Sequence, residues 1–168
     1  MWQHPGMTTA GALAPYRVLD LTDGRADLAA FMLAGLGADV IKVEPPAGAS
    51  GRTMGPFDPA LPDGMNSLRF HAFNRGKRSV VIDLDTAEGR EQFLQPAATA
   101  DFVFENAEPG AMDAKGIGYE ALRAVRPDLV YVAITPFGQT GPYVNHVSTD
   151  LTLSAMGGAM ALNGEPDR

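Results

Sequence analysis

Three cations fall within four positions at Arg75, Lys77 and Arg78, the densest basic run in the sequence. Lysine and arginine hold phosphate and carboxylate through charge-assisted hydrogen bonds, so a run of this size suits a small anionic ligand. A solvated turn around Gly76 is the competing reading. The turn Thr22-Asp23-Gly24-Arg25-Ala26-Asp27 carries one glycine and two acids. A dinucleotide-binding turn would instead offer several glycines and no negative charge, because free backbone amides bind the pyrophosphate there. These residues argue against nicotinamide or flavin binding in that mode, and a Walker phosphate loop is absent too. His4, His71 and His146 are widely separated, with no carboxylate pair at ligand spacing, so no metal site is expected. His71 reads as a packing or hydrogen-bonding residue, and His146 as a surface residue in a loop near Asp150. No Gly-x-Ser-x-Gly elbow occurs, which argues against a hydrolase triad. Asp150, ahead of a small-residue helix closing at Gly157 and Gly158, reads as a helix N-cap.

The absence of cysteine removes disulfides, thiolate catalysis by this chain and any zinc site built on sulfur. A net charge of -7, from 13 Lys and Arg against 20 Asp and Glu, repels a nucleic-acid backbone, and no basic stripe offsets it. With 45% hydrophobic and 20% charged residues, the chain is too apolar for disorder and long enough for one domain. No run approaches membrane-spanning length, and residues 1–16 lack the basic start and apolar core of a secretory leader. The expectation is a cytoplasmic protein with a frayed tail over 1–16, Met7 offering an alternative start, and a folded domain over 17–168.

The elements that must position these groups alternate. Short β-branched runs at Arg17–Leu21, Asp39–Glu44, Ser79–Leu84, Asp101–Glu105 and Leu129–Thr135 predict five strands. Each is apolar through its middle, as expected of strands covered on both faces. A first helix is predicted over Asp27–Leu36, capped by Asp27, ended by Gly37 and buried along Ala29, Met32, Leu33 and Leu36. A second opens after Asp85 or Thr86 and contains Phe93 and Leu94, with Pro96 weakening it. Between Pro45 and Asn66, five prolines and four glycines predict a long binding loop or lid, or else a disordered insertion. The fold class is α/β: a doubly wound, mostly parallel Rossmann-like sheet with flanking helices. Its ligand crevice should lie in the loops that begin at Thr22, Pro45, Asp85, Asn106 and Pro136.

Five stretches, taken in order and spacing, resemble one family. They are Val18-Leu19-Asp20-Leu21, Gly37 through Glu44, Asn74-Arg75-Gly76-Lys77-Arg78-Ser79, Glu105-Asn106 with Pro109-Gly110, and Gly138-Gln139-Thr140-Gly141-Pro142-Tyr143. Together they resemble the CaiB/BaiF coenzyme A transferases, family III, across nearly the whole chain. The resemblance implies transfer of coenzyme A between carboxylic acids through an aspartyl-coenzyme A thioester and mixed anhydrides, with coenzyme A or acyl-coenzyme A as substrate and no tightly bound cofactor. A carboxylate suits this because it attacks the donor thioester and leaves again, dividing one hard exchange into easier steps. The family nucleophile follows the segment resembling Asp150–Gly164, in a Gly-Asp motif, so the catalytic residue is expected outside these 168 residues.

The coenzyme A contacts implied by the resemblance fall at Gly24 and Arg25, at Ile82, Asp83 and the residues to Asp85 near the adenine, and at Asn106, Ala107 and Glu108. On physical grounds Lys77 and Arg78 could supply charge to the phosphates. Pro45, Ala114 and Val147 stand where some relatives carry basic residues, and Arg25, Arg52 or Lys115 could compensate. The related acyl-coenzyme A racemases carry a His-Asp pair where this chain has Thr149-Asp150, and threonine cannot act as the base. Full-length relatives imply an interlocked homodimer. A fragment without the covering segments would expose apolar surface and self-associate. A non-catalytic module that folds or dimerises without turnover is the alternative from another class.

Overall fold

A computed structural model describes residues 11–24 and 26–164 of the chain. Five strands, β1 (Arg17–Asp20), β2 (Asp39–Glu44), β3 (Arg78–Val81), β4 (Phe102–Glu105) and β5 (Val130–Ala133), form one sheet in the order β3-β2-β1-β4-β5. All four pairings are parallel, with Val18 opposite both Val40 and Phe102 at the centre. Alternate strand residues serve opposite faces, as a pleat requires. Leu19, Val43 and Val103 pack on one face against Phe93 and Ala97 of helix α3 (Ala87–Ala97), with Met112 of α4 (Ala111–Ala114) and Leu122 of α5 (Tyr119–Val125). Val18, Val40 and Phe102 pack on the other against Ala30 and Leu33 of α1 (Asp27–Gly35). The sheet is therefore doubly wound, with its core split into two layers.

Strand positions agree with the sequence reading to within a few residues at their ends; β3, at the sheet edge, starts at Arg78 and is exposed at all four residues rather than covered on both faces. Helix α1 differs in two respects. Ala26 occupies its N-cap, and the Asp27 carboxylate points inward to Lys42 at 2.7 Å. Its buried face is Ala30 with Leu33 and Ala34, while Met32 and Leu36 are exposed. Gly37 ends α1 with φ +98, and a Cβ there would lie 2.6 Å from the Gly11 Cα, so its lack of a side chain meets both a left-handed turn and a close approach. Residues 1–10 of the expected tail lie outside the described residues. Residues 11–16 are docked: the Leu13 N–H donates to the Leu36 carbonyl, and Tyr16 meets Phe102 edge-on.

The Pro- and Gly-rich segment is anchored. It contains a 3-10 turn at Ser50–Thr53 and an isolated bridge between Phe57 and Ser67, then enters helix α2 (Leu68–Asn74), capped by Ser67, whose oxygen accepts from the Phe70 N–H. Thr86 caps α3 in the same way, and Gly89 inside that helix lets it press on the Asp83 carbonyl, where a Cβ would stand 1.9 Å away. Asp150 is the first residue of α6 (Asp150–Met156), and its N-cap is Thr149. A second 3-10 turn, Ala159–Leu162, follows.

Candidate functional site

From β1 the chain winds outward through β2 to β3, then returns to pair β4 on the other side of β1. The loops leaving β1 and β4 diverge at that switch point and open a crevice at the carboxyl ends of the strands. Asn106 joins the two loops. Its Oδ1 accepts from the Asp23 N–H at 2.8 Å and its Nδ2 donates to the Asp23 carbonyl at 2.9 Å. The Asp23 carboxylate in turn accepts from the Ser50 and Gly51 amides, tying the Pro- and Gly-rich segment to the same point.

Beneath the β1 loop lies a buried ionic network. Lys42 Nζ donates to Asp27 Oδ1 and the Thr22 carbonyl, both at 2.7 Å, and stands 3.6 Å from Asp20. Lys77 Nζ donates to Asp20 Oδ2 at 2.7 Å, Asn74 Oδ1 at 2.9 Å and the Asp27 carbonyl at 3.0 Å. Two lysines meet two aspartates, so the charges balance, which a dry interior requires. Burial pulls the Lys77 ammonium below its ordinary value, against the opposing pull of Asp20. One strand over, Glu44 at the end of β2 is gripped by Arg52 Nη2 at 2.7 Å and by Arg52 Nε, and accepts from Ser79 and the Ala49 amide. Burial would raise its pKa, but the Arg52, Ser79 and Ala49 hydrogen bonds outweigh that and hold it down at about 2.

Two adjoining clefts occupy the crevice. One, of about 280 Å³, has an apolar floor of Leu21, Val43, Ile82 and Met112, with Asp83 and Ala107 in its walls. The other, of about 440 Å³, is bounded by Glu108, Asp113, Tyr119, Tyr131 and Gln139. Glu105 lines both. Burial pushes its carboxyl above the usual range, against hydrogen bonds from the Ala107 N–H and Tyr131, with Asp113 adding to the rise. Tyr131 is raised as well, by burial first and then by Glu105. A shallow apolar floor with a few convergent polar groups is the usual form of a small-molecule site.

The residues proposed from sequence divide among these places. Ile82 and Asp83, after β3, and Ala107, after β4, meet in the smaller cleft, and Glu108 lines the larger. Gly24 lies in the β1 loop with φ +58, and Asn106 is the clamp on that loop. Arg25 lies outside the described residues. Lys77 faces inward, its side chain 1% exposed. Arg78 sits at the amino end of β3 and pairs with Asp39, at the far end of the strands from the crevice. Neither cation reaches either cleft, because each already has a carboxylate partner distant in sequence. Glu44 and Glu105, read from sequence as strand ends, line the crevice, and Arg52, offered from sequence as a compensating cation, is bound to Glu44. His71 hydrogen-bonds the Met65 carbonyl, and His146 stacks edge-on to Tyr143. Among the described residues no group of three or more His, Asp or Glu converges to hold a metal ion.

The model of CoA-transferase family III matches residues 13–168. The chain is 46% identical over 139 residues to the succinate–glutarate CoA-transferase of Agrobacterium fabrum, covering 81% of this chain and 35% of that protein. It is 42% identical over 149 residues to the succinyl-CoA:(R)-benzylsuccinate CoA-transferase subunit BbsE of Thauera aromatica, covering 89% of this chain and 36% of that one. In structure it resembles a CAIB/BAIF family protein from Brucella suis, with a TM-score of 0.86 and 44% identity, over 95% of this chain and 43% of that one. The chain thus spans about a third of the length of these curated relatives. With a doubly wound parallel sheet, matched along nearly its whole length by the family model, the chain belongs to CoA-transferase family III.

Proposed function

We propose that this chain is the coenzyme A-binding, N-terminal part of an enzyme that moves coenzyme A between carboxylic acids, with the nucleophilic aspartate supplied from outside these residues. The observation that carries the reading is the meeting of Ile82, Asp83 and Ala107 in the lining of one cleft with an apolar floor. At about 280 Å³ it sits near the lower end of ligand pockets, which run from roughly 300 Å³ upward, and so suits the nucleotide head of the molecule rather than all of it. Asn106 fixes the β1 loop beside that floor, which makes Gly24 the next surface a bound nucleotide would meet. In the whole enzyme the aspartate carboxylate would attack the donor thioester and expel coenzyme A thiolate, and the thiolate would attack the aspartyl carbonyl of the resulting anhydride, releasing the donor acid and leaving an aspartyl-coenzyme A thioester; the acceptor carboxylate would then reverse the two steps and take up coenzyme A. The whole enzyme is expected to be a cytoplasmic homodimer acting on acyl-coenzyme A and a carboxylic acid.

Calorimetric titration of the 168-residue chain with coenzyme A, beside adenosine and pantetheine, tests the nucleotide assignment. Saturable binding of coenzyme A, with adenosine competing and pantetheine failing to compete, is the expected result. Absence of saturable binding at millimolar coenzyme A would overturn it.

A further inference from the structure

The smaller cleft is poorly charged for a nucleotide. Glu44, Asp83, Asp85 and Glu105 line it, and Lys115 is the single cation among its described lining residues. Arg52 answers Glu44, and the Ala107 amide and Tyr131 answer Glu105. The remaining lysines nearby, Lys42 and Lys77, are buried beneath the β1 loop and bound to Asp20 and Asp27. Among the described lining residues Lys115 is the cation left for a phosphate, and it is already engaged: its Nζ lies 2.6 Å from Asp85 Oδ1.

The two residues reach across the cleft from opposite walls. Lys115 closes α4, after the Pro109-Gly110 turn that follows β4, and its N–H donates to the Ala111 carbonyl. Asp85 stands in the turn between β3 and α3, where its N–H donates to Asp83 Oδ1 and its carbonyl accepts from Arg90. Both backbones are fixed while both side chains face water, Lys115 at 38% and Asp85 at 81% exposure. Exposed ion pairs contribute little to stability because water solvates and screens the separated charges, so exchanging this one is easy.

We infer, resting on the coenzyme A reading above, that Lys115 is the phosphate-binding residue of this cleft and Asp85 its resident competitor, displaced from Lys115 Nζ when a nucleotide phosphate arrives. Affinity is then set by the exchange of one ion pair for another, and the acid that opposes it is built into the β3–α3 turn.

Titration of the chain with coenzyme A and dephospho-coenzyme A, beside Asp85→Asn and Lys115→Gln, distinguishes the possibilities. Charge-assisted hydrogen bonds are strong enough that Lys115→Gln should weaken coenzyme A binding about tenfold, and Asp85→Asn should tighten it several-fold. Pantetheine, which has no phosphate, should be indifferent to both. If the Lys115→Gln loss persists with dephospho-coenzyme A, the lysine holds the pyrophosphate; if it disappears, the lysine holds the 3′-phosphate. Binding by Asp85→Asn alone would also support the exchange. Equal coenzyme A affinity in wild type and both substitutions would overturn this inference and leave the coenzyme A reading standing. Failure of all three forms to bind would overturn both. An unchanged denaturation midpoint in each substitution controls for folding, which the exposure of both side chains favours.

Discussion

Lys42 carries a full charge to a position where its side chain is 1% exposed, on the central part of a strand. A lone ammonium there would be strongly unfavourable, and the two aspartates and the Thr22 carbonyl make it tolerable. Removing Lys42 leaves Asp27 buried without its cation, while Asp20 keeps Lys77. Lys42→Met is therefore expected to destabilise the fold by about 3 to 5 kcal/mol, which a urea denaturation midpoint would read directly. Glu44 gives a pH-dependent counterpart. Its folded pKa, about 2, lies below the ordinary value of 4.5, so its stabilisation is fully present above about pH 4.5 and is lost as pH falls toward 2. That shift corresponds to at most about 3 kcal/mol. Arg52→Gln should lower stability at neutral pH and flatten its fall between pH 4.5 and 2; parallel acid-side slopes for Arg52→Gln and wild type would refute the assignment.

At the scale of elements, the crevice depends on a clamp rather than on either loop alone. Asn106 supplies one acceptor and one donor to the backbone of Asp23, so only an amide satisfies both. Asn106→Leu is expected to cost about 1 to 3 kcal/mol and to speed amide exchange in the β1 loop more than in β1 itself, as hydrogen–deuterium exchange would show. The same contacts explain what could be read from the chain. The central strands are apolar runs covered on both faces, and the edge strands β3 and β5 carry the same β-branched runs although β3 is exposed along its length, so all five could be placed from sequence. The stripe of α1 could be placed only at Leu33, because the rest of its inner face is built from Ala30, Ala34 and the charged Asp27, while Met32 and Leu36 face outward. Helices α2, α4 and α5 have four to seven residues each, too short for periodicity to separate them from the Gly- and Pro-rich chain around them. In the site, Ile82, Asp83 and Ala107 are named by the family resemblance and not by periodicity, and the ends of β3 and β4 bring them to one cleft. Lys77 and Arg78 could not, because their partners Asp20 and Asp39 stand 57 and 39 positions earlier in the sequence.

The molecule as a whole is unevenly covered. The sheet and α3 to α5 enclose fully buried side chains, whereas α6 buries none of its residues and stands on its own capping box, with Thr149 and Thr152 bonding one another's backbone. Leu151, Met156, Val147 and Leu162 along that segment are exposed, as are Leu28, Met32 and Leu36 on the outer face of α1. Apolar side chains spaced this way favour association, because each contact removes hydrocarbon from water. Local opening should therefore be easiest where burial is least. Limited proteolysis is expected to cut between 138 and 164 before any bond in the sheet is touched, and removal of 145–168 should change the denaturation midpoint by less than the roughly 0.5 kcal/mol typical of a neutral surface change. If that deletion instead unfolds the chain, the terminal segment is integral to the core, and the exposure of its apolar residues would need a second molecule or a further stretch of protein to cover it.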